Sequence, residues 1–273
     1  MKIFNYAKQN GCAWTWLYAR RALWSRLRRL AGAHINALEE RLLTIELQKG
    51  LTGLETVGAL GFTAAYNRGF YDRYDWQQGG EEWTDDVARY KSQDPEQWKQ
   101  NLLEHVLVPQ IPEGCAVLEI GPGAGRWSEP LRARASSVHL ADISPVCIEQ
   151  CRQRFGADPG FAFHLIRDGK LDFLPDASMD RVWSYDVFVH INPRETEQYI
   201  AEFHRVLKPG GRAIIHHSGL YDEVERPRLR RAGRAPMTAE LFALLARRHG
   251  FDVLEQSDAY VHHPGDVVTI LQR

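Results

Sequence analysis

Residues 115 to 125 read Cys-Ala-Val-Leu-Glu-Ile-Gly-Pro-Gly-Ala-Gly, a short apolar run that ends in an acidic residue and breaks into three alternating glycines. A strand feeding such a turn brings bare backbone against a ligand, because Gly121, Gly123 and Gly125 carry no side chain to hold it away. The pattern predicts a nucleotide-type cofactor site. Its spacing is G-x-G-x-G rather than the G-x-G-x-x-G of dinucleotide sites, and Glu119 stands just before the turn. A carboxylate there repels a pyrophosphate and attracts a cationic ligand with a free amino group.

Downstream residues recur at the intervals of a doubly wound sheet. Residues 126–135 suit a short helix, and 137–141 read as a second strand ending at Asp142, where a carboxylate can accept hydrogen bonds from two ribose hydroxyls. A helix over 145–155 and a third strand over 161–166 follow, closed by Asp168 and Gly169; Asp168 can accept a hydrogen bond from an adenine amino group. Residues 179–185 form a fourth apolar strand with Asp186 and His190 beyond it. A helix end and turn at 206–211 feed a fifth strand over 212–216.

On Val117-Leu-Glu-Ile-Gly-Pro-Gly-Ala-Gly125, Asp142, Asp168-Gly169, Ser184-Tyr-Asp186 and Leu207-Lys-Pro-Gly-Gly211, the chain resembles the class I S-adenosylmethionine-dependent methyltransferases over about residues 95 to 273. The resemblance implies an α/β fold: a doubly wound, seven-stranded Rossmann-like sheet whose last strand, 267–272, runs antiparallel beside 251–255. It implies S-adenosylmethionine as cofactor and S-adenosylhomocysteine as product. By the same resemblance Glu119, Gly121, Gly123 and Gly125 hold the methionine end, Asp142 the ribose, and Ile143 and Asp168 the adenine. Gly169 and Tyr185 join this set, and Asp186 or its backbone helps with the methionine amino group. An ordinary doubly wound domain whose glycines are only turns must treat three spaced coincidences as chance.

Methyl transfer from a sulfonium needs alignment and, for a hydroxyl acceptor, a base. Histidine titrates in the useful range. His190 follows the fourth strand, and His216 and His217 end the fifth; since neighbours on a strand face opposite ways, one of the latter pair is expected in the pocket. The expected bases are His190 first and His217 second, with Asp186 alongside. Residues 187–191 and 214–218 resemble those of sugar O-methyltransferases, and the chain as a whole looks like bacterial methyltransferases of polysaccharide biosynthesis, which implies a sugar hydroxyl as acceptor. The alternatives are a small-molecule N- or C-methyltransferase and, from another class, a non-catalytic scaffold that binds the cofactor. A divalent metal has candidate ligands in Asp186, His190, His217, Asp222, His262, His263 and Asp266, but no diagnostic spacing, so no metal site is assigned.

Net charge of −1 argues against a wholesale nucleic-acid binder, and four cysteines without a C-x-x-C pair read as reduced packing thiols of a cytoplasmic protein. At 273 residues there is room for more than the sheet, and three parts are expected: a basic helical extension over 1–50, an aromatic lid over 51–105 and the methyltransferase domain over 106–273. Before Glu39 there is no acidic residue, whereas Lys2, Lys8, Arg20, Arg21, Arg26, Arg28 and Arg29 are basic. On a helix Trp16, Leu23, Trp24, Leu27 and Leu30 share one face, which suits residues 14–30 to the anionic inner membrane surface or equally to a protein surface, either the catalytic domain or a second subunit. In the lid, Phe62, Tyr66 and Phe70 read as core, while Trp76 and Trp83 flank a glycine turn and can close over an acceptor. Residues 226–234 hold five arginines, so Arg226 and Arg228 are candidates for an anionic acceptor group, although most charge runs are only solvated.

Overall fold

Seven strands form one sheet in the order β3-β2-β1-β4-β5-β7-β6. They are β1 (Ala116–Ile120), β2 (Ser137–Asp142), β3 (Phe161–Leu165), β4 (Met179–Phe188), β5 (Leu207–Ser218), β6 (Asp252–Ser257) and β7 (Asp266–Gln272). This computed structural model describes residues 63–76, 79–81, 87–88, 93–219, 234–235 and 237–273. The chain divides into two units, residues 1–53 and 54–273, and all described residues belong to the second. The basic N-terminal stretch, Trp83, Asp222, Arg226 and Arg228 lie outside the described residues.

β1 to β5 pair in parallel, and β7 runs antiparallel between β5 and β6, as the resemblance implied. The chain winds outward from β1 to β3, then returns to start again at β4 beside β1. That reversal opens a crevice at the carboxyl ends of β1 and β4, the place where open α/β sheets bind ligands.

The central strands are apolar because both faces are covered. Val117, Val138, Leu140, Trp183 and Ile214 point to one core, under helix α2 (Pro95–Leu102), α3 (Ser128–Arg132) and α4 (Pro145–Phe155). Leu118, Val182, Phe188 and Ile215 point to the other, under α5 (Pro193–Val206) and α6 (Ala239–Arg248). α5 shows why it packs there: Thr196, Tyr199, Ile200, Phe203 and Val206 recur at helical spacing and are its buried residues. Truncating fully buried Phe203 to alanine should cost about 3–5 kcal/mol.

Three helices start with a capping side chain followed by proline: Asp94-Pro95, Ser144-Pro145 and Asn192-Pro193. The cap oxygen accepts an N–H that the helix cannot satisfy internally, and proline, lacking a donor, sits where none is needed. A short helix α1 (Ala64–Tyr71), capped by Thr63, precedes these and covers the crevice. Among the described residues no helix is long and apolar enough to cross a membrane.

Candidate active site

A cavity occupies the crevice, walled by the glycine turn, the ends of β1, β2 and β4, and α1. The turn itself requires glycine. Gly121 has φ +70, and a Cβ there would collide with Val187; at Gly123, φ +57, it would lie 2.9 Å from the Trp76 ring. Both line the cavity, whereas Gly125 packs against Phe155 behind it.

Asp142 ends β2 on the cavity wall, with Oδ1 accepting the Ser144 N–H at 2.8 Å and Oδ2 the Gly123 N–H at 3.4 Å. Burial pushes its carboxyl up to about 6, against the pull of those donors. Ile143, Ile166 and Tyr185 line the cavity beside it. Glu119 does not. It is fully buried beneath the turn, accepts a hydrogen bond from the Ser128 hydroxyl at 2.7 Å, and is pushed up to about 8 by burial. Asp168, exposed at φ +55, and Gly169 are not among the lining residues.

The carboxyl end of β4 carries an irregularity that the sequence does not announce. Ser184 pairs with Ile215 and Phe188 with His217, so three residues of β4 face one of β5. The bulge aims Asp186 and Val187 into the cavity and sets Asp186 at φ +62. The Asp186 N–H leaves the ladder and donates to His216 Nδ1 at 3.0 Å. Below it lies a buried charge network. Asp186 Oδ1 stands 3.3 Å from His262 Nε2 and 3.7 Å from an Arg234 nitrogen, and Arg234 also reaches Asp266 Oδ2 at 3.0 Å. Burial alone would raise the Asp186 carboxyl, but His262, Arg234 and His216 outweigh it and hold the group well below the usual range.

Asp186, His216 and His262 approach closely enough to hold a metal ion. The donor set fits one poorly. His216 spends its Nδ1 lone pair on the Asp186 N–H, so Nε2 carries the ring proton and points 3.3 Å from Asp266 Oδ2. Arg234, a fixed cation, already serves both carboxylates. This cluster is an ion network that fixes Asp186.

His190 lines the cavity, and its carbonyl accepts from Asn67 Nδ2 of α1 at 2.7 Å. His217 is a correction. It is fully buried, with Nδ1 on the Ser218 carbonyl at 2.6 Å, Nε2 on Thr269 Oγ1 at 2.7 Å, and its ring stacked on Phe242 at 3.7 Å. Neither it nor His216 touches the cavity, since both faces of β5 are covered at that point. Trp76 roofs the glycine turn, donating its indole N–H to the Tyr71 carbonyl. Asn67, Tyr71, Arg126, Glu195 and Tyr199 also line the wall and were not singled out in the sequence. Arg126, placed directly after the third glycine, was the one with a positional signal.

Residues 117–211 match the family described as "Methyltransferase domain". With the sheet order and the cavity at its switch point, residues 117–211 are the core of a methyltransferase domain with the class I fold. It is similar to the dimethylglycine N-methyltransferase of Parasynechococcus marenigrum (strain WH8102), 33% identical over 129 residues, which are 44% of this chain and 43% of that protein. It is also similar to the tRNA N(3)-cytidine methyltransferase METTL6 of Homo sapiens, 30% identical over 112 residues, 39% of each chain. The chain thus spans less than half the length of these curated relatives. Among solved structures, the S-adenosylmethionine dependent methyltransferase from Mesorhizobium loti shares the fold, with a TM-score of 0.53 at 16% identity over 64% of this chain and 98% of that one.

Proposed function

We propose that the protein is a methyltransferase that methylates a sugar hydroxyl in a glycan, glycolipid or glycosylated metabolite, with His190 as general base. His190 carries the reading: of the three histidines at strand ends, it alone among them lines the cavity. The glycine turn is compatible with S-adenosylmethionine, since Gly121 and Gly123 present backbone without side chains to the cavity, and Asp142 stands on the same wall. Gly121 and Gly123 would bear on the methionine end, Asp142 on the ribose hydroxyls, and Ile143 with Ile166 on the adenine. When bound, that cofactor supplies an activated methyl group on a sulfonium. Asp186, fixed by its bulge and ion network, holds negative charge at the wall, and α1 covers the crevice. His190 takes the hydroxyl proton as the new bond forms. Tyr71 and Trp76 offer flat faces to the C–H surface of a sugar ring.

A second reading, an amine acceptor, has support in the dimethylglycine N-methyltransferase relative and in two wall carboxylates, Asp186 and Glu195, which suit a cation. An acceptor screen with labelled methyl donor, followed by identification of the bond formed, tests both. An O-methyl product that His190→Ala fails to make supports the first, and an N-methyl product selects the second.

A further inference from the structure

The glycine-turn end of the cavity closes on a buried cation. Arg126 lines the wall, is 7% exposed, and is the one lysine or arginine among the described lining residues. Its guanidinium carbon stands 5.2 Å from the Trp127 ring centre and 5.6 Å from that of Trp98, so two aromatic faces hold the charge and keep water off. Nε lies 3.2 Å from Glu81 Oε2 without hydrogen-bond alignment, and Glu81 is shared with Lys99. Nε and one terminal nitrogen are buried with no hydrogen-bond partner among the described residues. Donors on a buried guanidinium that meet no acceptor are costly, and a carboxylate is the planar anion that matches their fork.

We propose that Arg126 is a carboxylate subsite of the cavity, taking the α-carboxylate of the methionine portion of the cofactor. The assignment rests on the cofactor reading above and follows from place: the residue leaves the turn directly after Gly125, beside Gly121 and Gly123. Gly80 is pressed against it from the cap, where an added Cβ would lie 3.0 Å from the Arg126 Cβ, so the cap closes over this same end. The acidic residues of the wall, Asp142, Asp186 and Glu195, leave Arg126 as the complement for the anionic end of a zwitterionic ligand.

Calorimetry with two ligands tests this: S-adenosylhomocysteine and its decarboxylated analogue, which keeps the nucleoside, sulfur and amine. The wild type should prefer the former by about tenfold or more. Arg126→Met should lose about 10- to 100-fold on S-adenosylhomocysteine and little on the analogue, so that the preference vanishes, while Arg126→Lys keeps part of it. Equal losses on both ligands would make Arg126 a packing residue for Trp98 and Trp127 and overturn the proposal. A wild type that binds both ligands alike overturns it without any variant. If S-adenosylhomocysteine affinity is unchanged in Arg126→Met and KM rises only for a carboxylate-bearing acceptor, the anion belongs to the acceptor and the assignment fails. A wild type that binds neither ligand refutes instead the cofactor reading beneath it.

Discussion

Asn67 Nδ2 donates to the His190 carbonyl at 2.7 Å, so the helix that roofs the cavity is fastened to the loop that bears the candidate base. Asn67 is 6% exposed, and its removal leaves a carbonyl without its donor, a loss of about 1–3 kcal/mol. Asn67→Ala should therefore reduce turnover several-fold through a mispositioned His190, while S-adenosylhomocysteine affinity in calorimetry stays near wild type. Loss of affinity equal to the loss of turnover would move Asn67 to the cofactor side.

The two histidines first considered as bases should now separate. His190→Ala is expected to lose about 10²-fold or more in turnover with an unchanged melting temperature. His217→Ala breaks two buried hydrogen bonds and a ring stack, so its effect should be on stability, about 1–3 kcal/mol in denaturant melts, with the surviving folded enzyme active. Full activity in His190→Ala would remove the base mechanism.

Asp142 gives a pH signature. Its carboxyl lies at about 6, and only the ionised form accepts from both ribose hydroxyls. Affinity for S-adenosylhomocysteine should be full above that value and fall by up to about tenfold per pH unit below it. Asp142→Asn should bind about 1–3 kcal/mol more weakly at pH 7.5 and lose the pH dependence in this window. A wild-type profile that stays flat through pH 6 to 5 would count against the assignment.

Glu119 gives the opposite kind of signature, in stability. Burial raises its folded value to about 8, above the 4.5 of an ordinary glutamate, so the folded chain holds a proton that the unfolded one releases. The stability this proton contributes is complete below about 4.5 and lost as pH rises to about 8. Glu119→Gln keeps an acceptor for Ser128 and cannot ionise. Its melting temperature should gain on wild type across that interval and run parallel above it; a constant difference at every pH would show that Glu119 does not titrate there.

The basic stretch at the N-terminus is tested by deleting residues 1–32. If residues 14–30 meet an anionic membrane, vesicle binding should fall sharply in the truncated chain and weaken with salt in the full one. If they meet a second copy of the chain, sizing chromatography should change and neither form should bind vesicles.

β1, β2 and β3 were legible because each is a short run followed closely by Gly or Asp, whereas β6, largely polar and exposed, followed only from the family resemblance. The glycine turn and Asp142 were legible for the same local reason: their chemistry is written in consecutive residues. Asp186 was found as a residue but not as a geometry, since its bulge depends on how β4 registers against β5. His217 misled because alternation tells which face a side chain takes and not what covers that face; here it is Phe242. Asn67 and Tyr71 reach the site from a helix more than a hundred residues before His190, a proximity no local pattern encodes.

The bulge at Asp186 also limits what variation the position can accept. A φ of +62 is adopted most readily by glycine, asparagine and aspartate, so the backbone narrows the alphabet there before chemistry has any say. Asparagine would keep the conformation and discard the charge facing Arg234 and His262; glycine would keep the conformation and discard the side chain altogether. In a saturation library the survivors at this codon should be these three, and the ranking among them would read out, within one fixed shape, how much the negative charge matters to the reaction.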